Sequence, residues 1–340
     1  MTFDPDPPLP PAARQPWWRR ALAWRPSLGG LRAVTSLRWL PGRWAVVVLV
    51  AIPLLYFGGG ALYYHKIDAN PDYTGPTTAA GESRAVAMVA NLITREVDVH
   101  RWTPSDPFFM PTALLDNMPN FQRGMVTALA RLTVEMRDQL SRTRGSSPVD
   151  PDLEKAASLL NYQPNVFIWN PSVSIWPSAT SAQQYRGART ALIAFNKRLA
   201  AGEATFDRRS DNLRALLERM ANDIGGTSAL IDRQITEHGG DILDFHADDV
   251  FYTAKGQIYV YYMVLREIGV DFQNVQRERD LATAWQRLLA TFRTAATLQP
   301  WIVSNGAPDS QLLPSHLAAQ GFYLLRARTQ LREMVDILQK

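Results

Sequence analysis

Apolar residues recur at helical spacing through most of residues 80–340. Phe121, Met125, Leu129, Leu132, Met136 and Leu140 fall on one stripe, and Tyr185, Ala188, Leu192, Phe195 and Leu199 on a second. Leu213, Leu216, Leu217, Met220 and Ile224 make a third, and Leu281, Trp285, Leu288, Leu289 and Phe292 a fourth. Leu317, Gly321, Leu324, Leu325, Leu331, Met334 and Leu338 make the last. Polar residues stand opposite each stripe, as in helices that share a core. Residues 247–269 differ. Val250, Phe251, Ala254, Ile258, Tyr261, Tyr262 and Leu265 form one face, and Tyr252, Tyr259 and Met263 add apolar surface on another. A helix apolar on two sides is expected at the centre of a bundle, and Gly256 within it predicts a close helix–helix contact.

Start and stop signals agree with the stripes. Pro119 and Pro151 sit where a first turn accepts proline, Asp150 is placed to cap, and Thr180 with Gln183 fits a capping box. Gly202 and Gly239 fit helix ends, and Gly225-Gly226 predicts a break. Residues 163–177 (QPNVFIWNPSVSIWP) predict a short hairpin or extended flap around Asn170-Pro171. The expected fold is all-α: a bundle of long helices with one short extended or hairpin segment.

One segment belongs to a different solvent. From Trp44 to Tyr64 the chain runs 21 residues without a charge, enough helix to cover about 30 Å, the hydrocarbon thickness of a bilayer. Trp44, Tyr63 and Tyr64 are placed as interfacial anchors, and Pro53 predicts a kink in mid-span. Seven arginines precede the span, and Lys66 alone follows it before Arg84. The positive-inside rule puts the N-terminus in the cytoplasm, and the long apolar run without a cleavage site reads as an uncleaved signal anchor. The expected organisation is a Pro/Arg/Trp-rich cytoplasmic tail (1–43), a transmembrane helix (44–64), a linker (65–80) and a periplasmic helical domain (81–340). That domain admits two sub-bundles, about 81–240 and 241–340. In the first 44 residues, five tryptophans interleaved with arginine suit either a segment lying on the anionic inner leaflet or an unstructured basic flank.

Composition narrows the chemistry. A hydrophobic fraction of 46% and a charged fraction of 20% exclude a mainly disordered chain. The absence of cysteine removes disulfides, thiolate metal sites, iron–sulfur clusters and cysteine nucleophiles. The net charge of +4 arises in the tail, whose seven arginines face two acids; the rest carries 29 basic and 30 acidic residues. The folded part has no excess positive charge for a phosphate backbone, so no nucleic-acid partner is expected.

The densest run of reactive side chains is HGGDILDFHADD (238–249). His238, Asp241, Asp244 and His246 are candidate ligands for a divalent ion, and His246, Asp248 and Asp249 candidate catalytic groups. The competing reading makes Asp248 and Asp249 capping residues at a helix start. SRTRGSSP (141–148) is either an anion cradle or a polar helix end. Trp169, Trp176 and Tyr252 are candidate interaction residues. P-loop and common serine-hydrolase signatures are missing, and no cofactor is expected.

Taken in order, LLDNMPNFQRG (114–124), RDQLSRTRGSS (137–147), DPDL (150–153), WPS (176–178), YRG (185–187), DNL (211–213), DDVFYTAKG (248–256) and DF (271–272) resemble an uncharacterised bacterial family, domain of unknown function 2333. The resemblance implies a bacterial inner-membrane protein with one N-terminal span and a helical periplasmic region. It implies no activity. The leading functional expectation is a membrane-anchored interaction or scaffold protein of the envelope, partnered by the lipid bilayer and by an envelope protein or a second copy. The alternative is a membrane-tethered hydrolase using the Asp/His cluster, with or without a metal. A sensor ranks third, because the tail carries no output domain.

Overall fold

The computed structural model describes residues 42–141, 148–168, 176–239, 245–306 and 314–340. Helix α1 (Gly42–Tyr64) contains Pro53 and leaves Val46, Leu49, Ile52, Leu55 and Leu62 exposed. Within the described residues, Trp44–Tyr64 is the helix long and apolar enough to cross a membrane. The chain divides into two compact units, ending and beginning at Leu54 and Leu55. The described part of the first is the opening half of α1.

The second unit is a helical bundle. Its elements are α2 (Arg84–Thr94), α3 (Asn117–Glu135), α4 (Pro151–Leu160), α5 (Ser181–Ala200), α6 (Ser210–His238), α7 (Phe245–Asp271), α8 (Gln273–Glu278), α9 (Ala282–Ala296) and α10 (His316–Gln339). Helices α2 and α3 each end in a widened turn, where His100 N donates to Arg95 O and Ser141 N to Met136 O, five residues back. No strand forms among the described residues.

Local signals set the helix ends. Ser83 accepts from Val86 N, Asp150 from Asp152 N and Leu153 N, and Thr180 and Gln183 close a capping box. Gly202 follows α5 with φ +77°, a left-handed stop that glycine tolerates without strain. The expected break at Gly225-Gly226 does not occur, and α6 runs unbroken for 29 residues. Two interior glycines cost about 2 kcal/mol of helix propensity. Burial of Leu213, Leu217, Met220, Ile224 and Ile231 on both sides of the pair outweighs that cost.

Helix α7 is the axis of the bundle. It packs against α2, α3, α6, α9 and α10, and nearly every residue from Phe251 to Ile268 is buried. Helix α10 lies along α6, so elements from both sides of residue 240 share one core. Helices α3 and α7 cross at Gly124 and Gly256. A β-carbon on Gly124 would strike Thr253 O, and one on Gly256 would strike Phe121 O. This is the close contact expected at Gly256. Leu325, expected on the buried stripe of α10, is exposed beside Phe322. Of the segment 163–177, residues 169–175 lie outside the described residues; from opposite sides of that stretch, Ser178 N donates to Ile168 O (3.0 Å).

Candidate functional site

The crossing of α3 and α7 at small residues draws the N-terminal ends of both helices together. Asp116 precedes α3, Asp248 lies in the first turn of α7, and Asp249 follows it. One carboxylate oxygen from each falls within 4.8 Å of the others. Asn120, one turn into α3, donates from its amide nitrogen to Asp116 Oδ1 (3.2 Å) and to Asp249 Oδ1. Its own oxygen accepts from Arg123 Nη1 (2.8 Å), which fixes the amide orientation. Asp248 Oδ1 accepts from Asp249 N (3.1 Å), and His246 Nδ1 stands 4.0 Å from Asp249 Oδ2.

Three carboxylates at this spacing repel one another. Burial first, then the charge and hydrogen bond of Asp116, and then the charge of Asp248 push Asp249 up from its ordinary 3.8 to about 6; His246 opposes them. The cluster can relieve its repulsion by holding a proton between Asp116 and Asp249, or by presenting hard oxygen ligands to a cation.

The structure distributes the sequence candidates unevenly. Asp248 and Asp249 come together, with His246 exposed at the rim. Helix α7 begins before them, at Phe245, so Asp249 faces α3 rather than a free helix end. His238 ends α6. Asp241, Asp244, Trp169 and residues 142–147 lie outside the described residues. Trp176 is exposed, whereas Tyr252 is buried in the core. Sequence reading missed Asp116 and Asn120. The signal was the polar DN pair opening the α3 stripe.

It also missed a second cluster. Arg95 and Glu96, both buried, occupy the widened turn after α2 and pair at 3.0 Å. The Arg95 guanidinium lies over the rings of Tyr73 (4.9 Å) and Tyr259 (4.8 Å) and donates to Tyr259 OH (2.6 Å) and Asp68 O (3.1 Å). Tyr259 OH donates onward to Asn70 O (2.9 Å), and burial is the main cause that pushes this phenol up to about 12. Gln122 donates to Glu96 Oε2 (3.2 Å) and to Arg101 O (2.9 Å), and accepts from Thr103 N and Oγ1. His100 Nδ1 lies 3.4 Å from Glu96 Oε1. Arg266 completes the set, donating to Pro71 O (3.0 Å) and Tyr73 O (2.7 Å). The effect is mechanical: residues 68–73, just after α1, are stitched to α2 and α7. A legible signal existed, because Glu96 falls on the apolar stripe of Val89 and Leu92.

Lys255, in mid-α7, is 2% exposed and donates to Leu298 O (2.6 Å); burial pushes it down to about 8. A cavity of about 590 Å³ is lined by Tyr262, Arg266, Gln273, Trp285 and Arg293 among others, and by none of the three acids.

Comparison with curated proteins and with solved structures finds no match to this chain. The sequence model of DUF2333, an uncharacterised protein family conserved in bacteria, matches residues 104–241, and over that stretch this chain is similar to the family.

Proposed function

We propose that this chain is a single-pass inner-membrane protein of the bacterial envelope. Its N-terminus lies in the cytoplasm, and its helical domain acts in the periplasm as an interaction or scaffold platform. The arginine-rich flank before α1 supports the orientation, and the bacterial family match supports the setting. The observation that carries the scaffold reading is a set of large apolar side chains left exposed on packed helices. Phe322 and Leu325 stand out on α10, and Leu230 on α6, the helix packed against it. Large apolar side chains left exposed on adjoining helices suit a protein contact.

The test is crosslinking in intact membranes, followed by affinity purification and mass spectrometry. The expected result is one envelope protein, or a second copy of this chain, at near-stoichiometric yield, lost in Phe322→Ser/Leu325→Ser. Recovery of the same proteins with that double variant would sink the reading.

A second reading, a membrane-tethered hydrolase, draws support from the Asp116–Asp249 pair. A carboxyl that holds its proton to about pH 6 beside a second carboxyl supplies the two groups an acid–base reaction needs. Hydrolysis of an ester or amide by purified protein, lost in Asp249→Asn, is its test.

A further inference from the structure

We propose that the loop of residues 107–115 enters the bilayer beside α1 and forms a second, monotopic membrane contact. This rests on the reading of α1 as a membrane span.

The loop reads PFFMPTALL, nine uncharged residues between Asp106 and Asp116. Its large side chains turn outward: Phe108 is 85% exposed, Leu114 68% and Phe109 52%. Phe108 and Phe109 form an edge-to-face pair at 5.5 Å, and Phe109 approaches Phe167 at 6.4 Å. In water this is an unfavourable surface; in lipid it is an ordinary one.

Its position says which solvent it meets. Tyr56 OH donates to Phe109 O (3.2 Å), and Pro111 fills the space beside Gly60. Gly60 and Tyr56 lie four and eight residues before Tyr64, about 6 and 12 Å down the helix from its end. Cations mark the level above. The Arg101 guanidinium stacks 5.2 Å from the Tyr64 ring, and Lys66 Nζ lies 5.4 Å from the Tyr63 ring. Tyrosine and basic groups together define the interfacial layer. The loop therefore runs along the part of α1 that lies on the hydrocarbon side of that layer.

Part of its backbone is already satisfied within the loop. Lipid offers no hydrogen bonds, so a chain entering it must satisfy its own. Pro107 and Pro111 have no N–H. Met110 N donates to Pro107 O (2.9 Å), Ala113 N to Met110 O (3.0 Å) and Leu115 N to Thr112 O (2.9 Å). Thr112 Oγ1 donates to Asp106 Oδ2 (2.5 Å), and Phe109 O is taken by Tyr56. The base of the loop is held by Gln122, through Thr103 and Arg101.

The chain has no cysteine, so single-cysteine spin labels report cleanly. The full chain, carrying Phe108→Cys, Leu55→Cys or Trp301→Cys, is reconstituted in vesicles of phosphatidylethanolamine and phosphatidylglycerol. Relaxation by oxygen, which concentrates in lipid, is compared with relaxation by a water-soluble nickel chelate. The expected oxygen-to-nickel ratio at 108 matches that at 55, in the span, and stands several-fold above that at 301, a fully exposed residue of the domain. A lipid ratio at 55 with an aqueous ratio at 108 overturns the loop proposal and leaves the span intact. An aqueous ratio at 55 overturns both. A label at 108 reached by neither reagent means that protein covers the loop, which also overturns the proposal.

Discussion

Gly256 lies against the carbonyl oxygen of Phe121, with no room for a β-carbon between them. This contact and its neighbour at Gly124 let α3 and α7 cross backbone to backbone, and the acidic ends of both helices meet because of it. Alanine at Gly256 must push the helices apart. An overpacked core of this kind costs about 1–3 kcal/mol, and more where the obstacle is backbone. Gly226→Ala is the control, since its β-carbon meets open space and helix propensity favours alanine by about 1 kcal/mol. Thermal unfolding of the purified protein should show a lower Tm for Gly256→Ala and a higher one for Gly226→Ala; equal shifts would contradict the crossing.

Arg95 holds the segment after α1, so its removal should expose that segment. Truncating one partner of a buried ion pair costs about 3–5 kcal/mol, since the other charge is left unpaired. In Arg95→Ala, trypsin should cut after Lys66 under conditions where the parent chain resists. Arg95→Met/Glu96→Leu, which removes both charges, should be more stable than either single change. A Lys66 site equally accessible in both proteins would show that the segment is not stitched.

The folded state keeps a proton on Asp249 up to about pH 6, whereas the unfolded chain releases it near 3.8. A carboxyl with a raised folded value loses stability as pH rises between the two. Asp249→Asn should therefore unfold at higher denaturant than the parent at pH 7, and the two should converge near pH 4. A gap that is the same at both values would mean that Asp249 carries no repulsion.

Lys255 gives the opposite profile at alkaline pH. Its folded value near 8 lies below the ordinary 10.5, so the unfolded chain binds the extra proton and stability rises from about pH 8 to pH 10. The gain is on the order of 3 kcal/mol at most. Lys255→Met should be more stable than the parent at pH 7 and show no such rise. A parallel pH dependence in both would assign the rise to another group.

The stripes of α3, α5, α6, α9 and α10 were legible because helical burial repeats at i, i+3 and i+4, a local pattern. Caps at Asp150 and Thr180 were legible for the same reason: donor and acceptor lie within three residues. The Asn120–Asp249 contact was not, its partners standing 129 positions apart, nor the Arg95–Tyr259 contact, at 164. Such pairs depend on how whole helices cross, and no window along the chain contains them. Gly225-Gly226 misled in the other direction, because a local cost was outweighed by packing along all of α6.

The stitched segment 68–73 also governs reach. A free linker of residues 65–80 would let the domain wander over about 20 Å, like a float on a line. With that line wound onto α2 and α7, the domain holds one height and one facing direction at the end of α1. On the proposed reading of α1 as a membrane span, a partner in the same membrane would meet a fixed face at a fixed level. The orientational entropy that association usually costs has already been surrendered in folding.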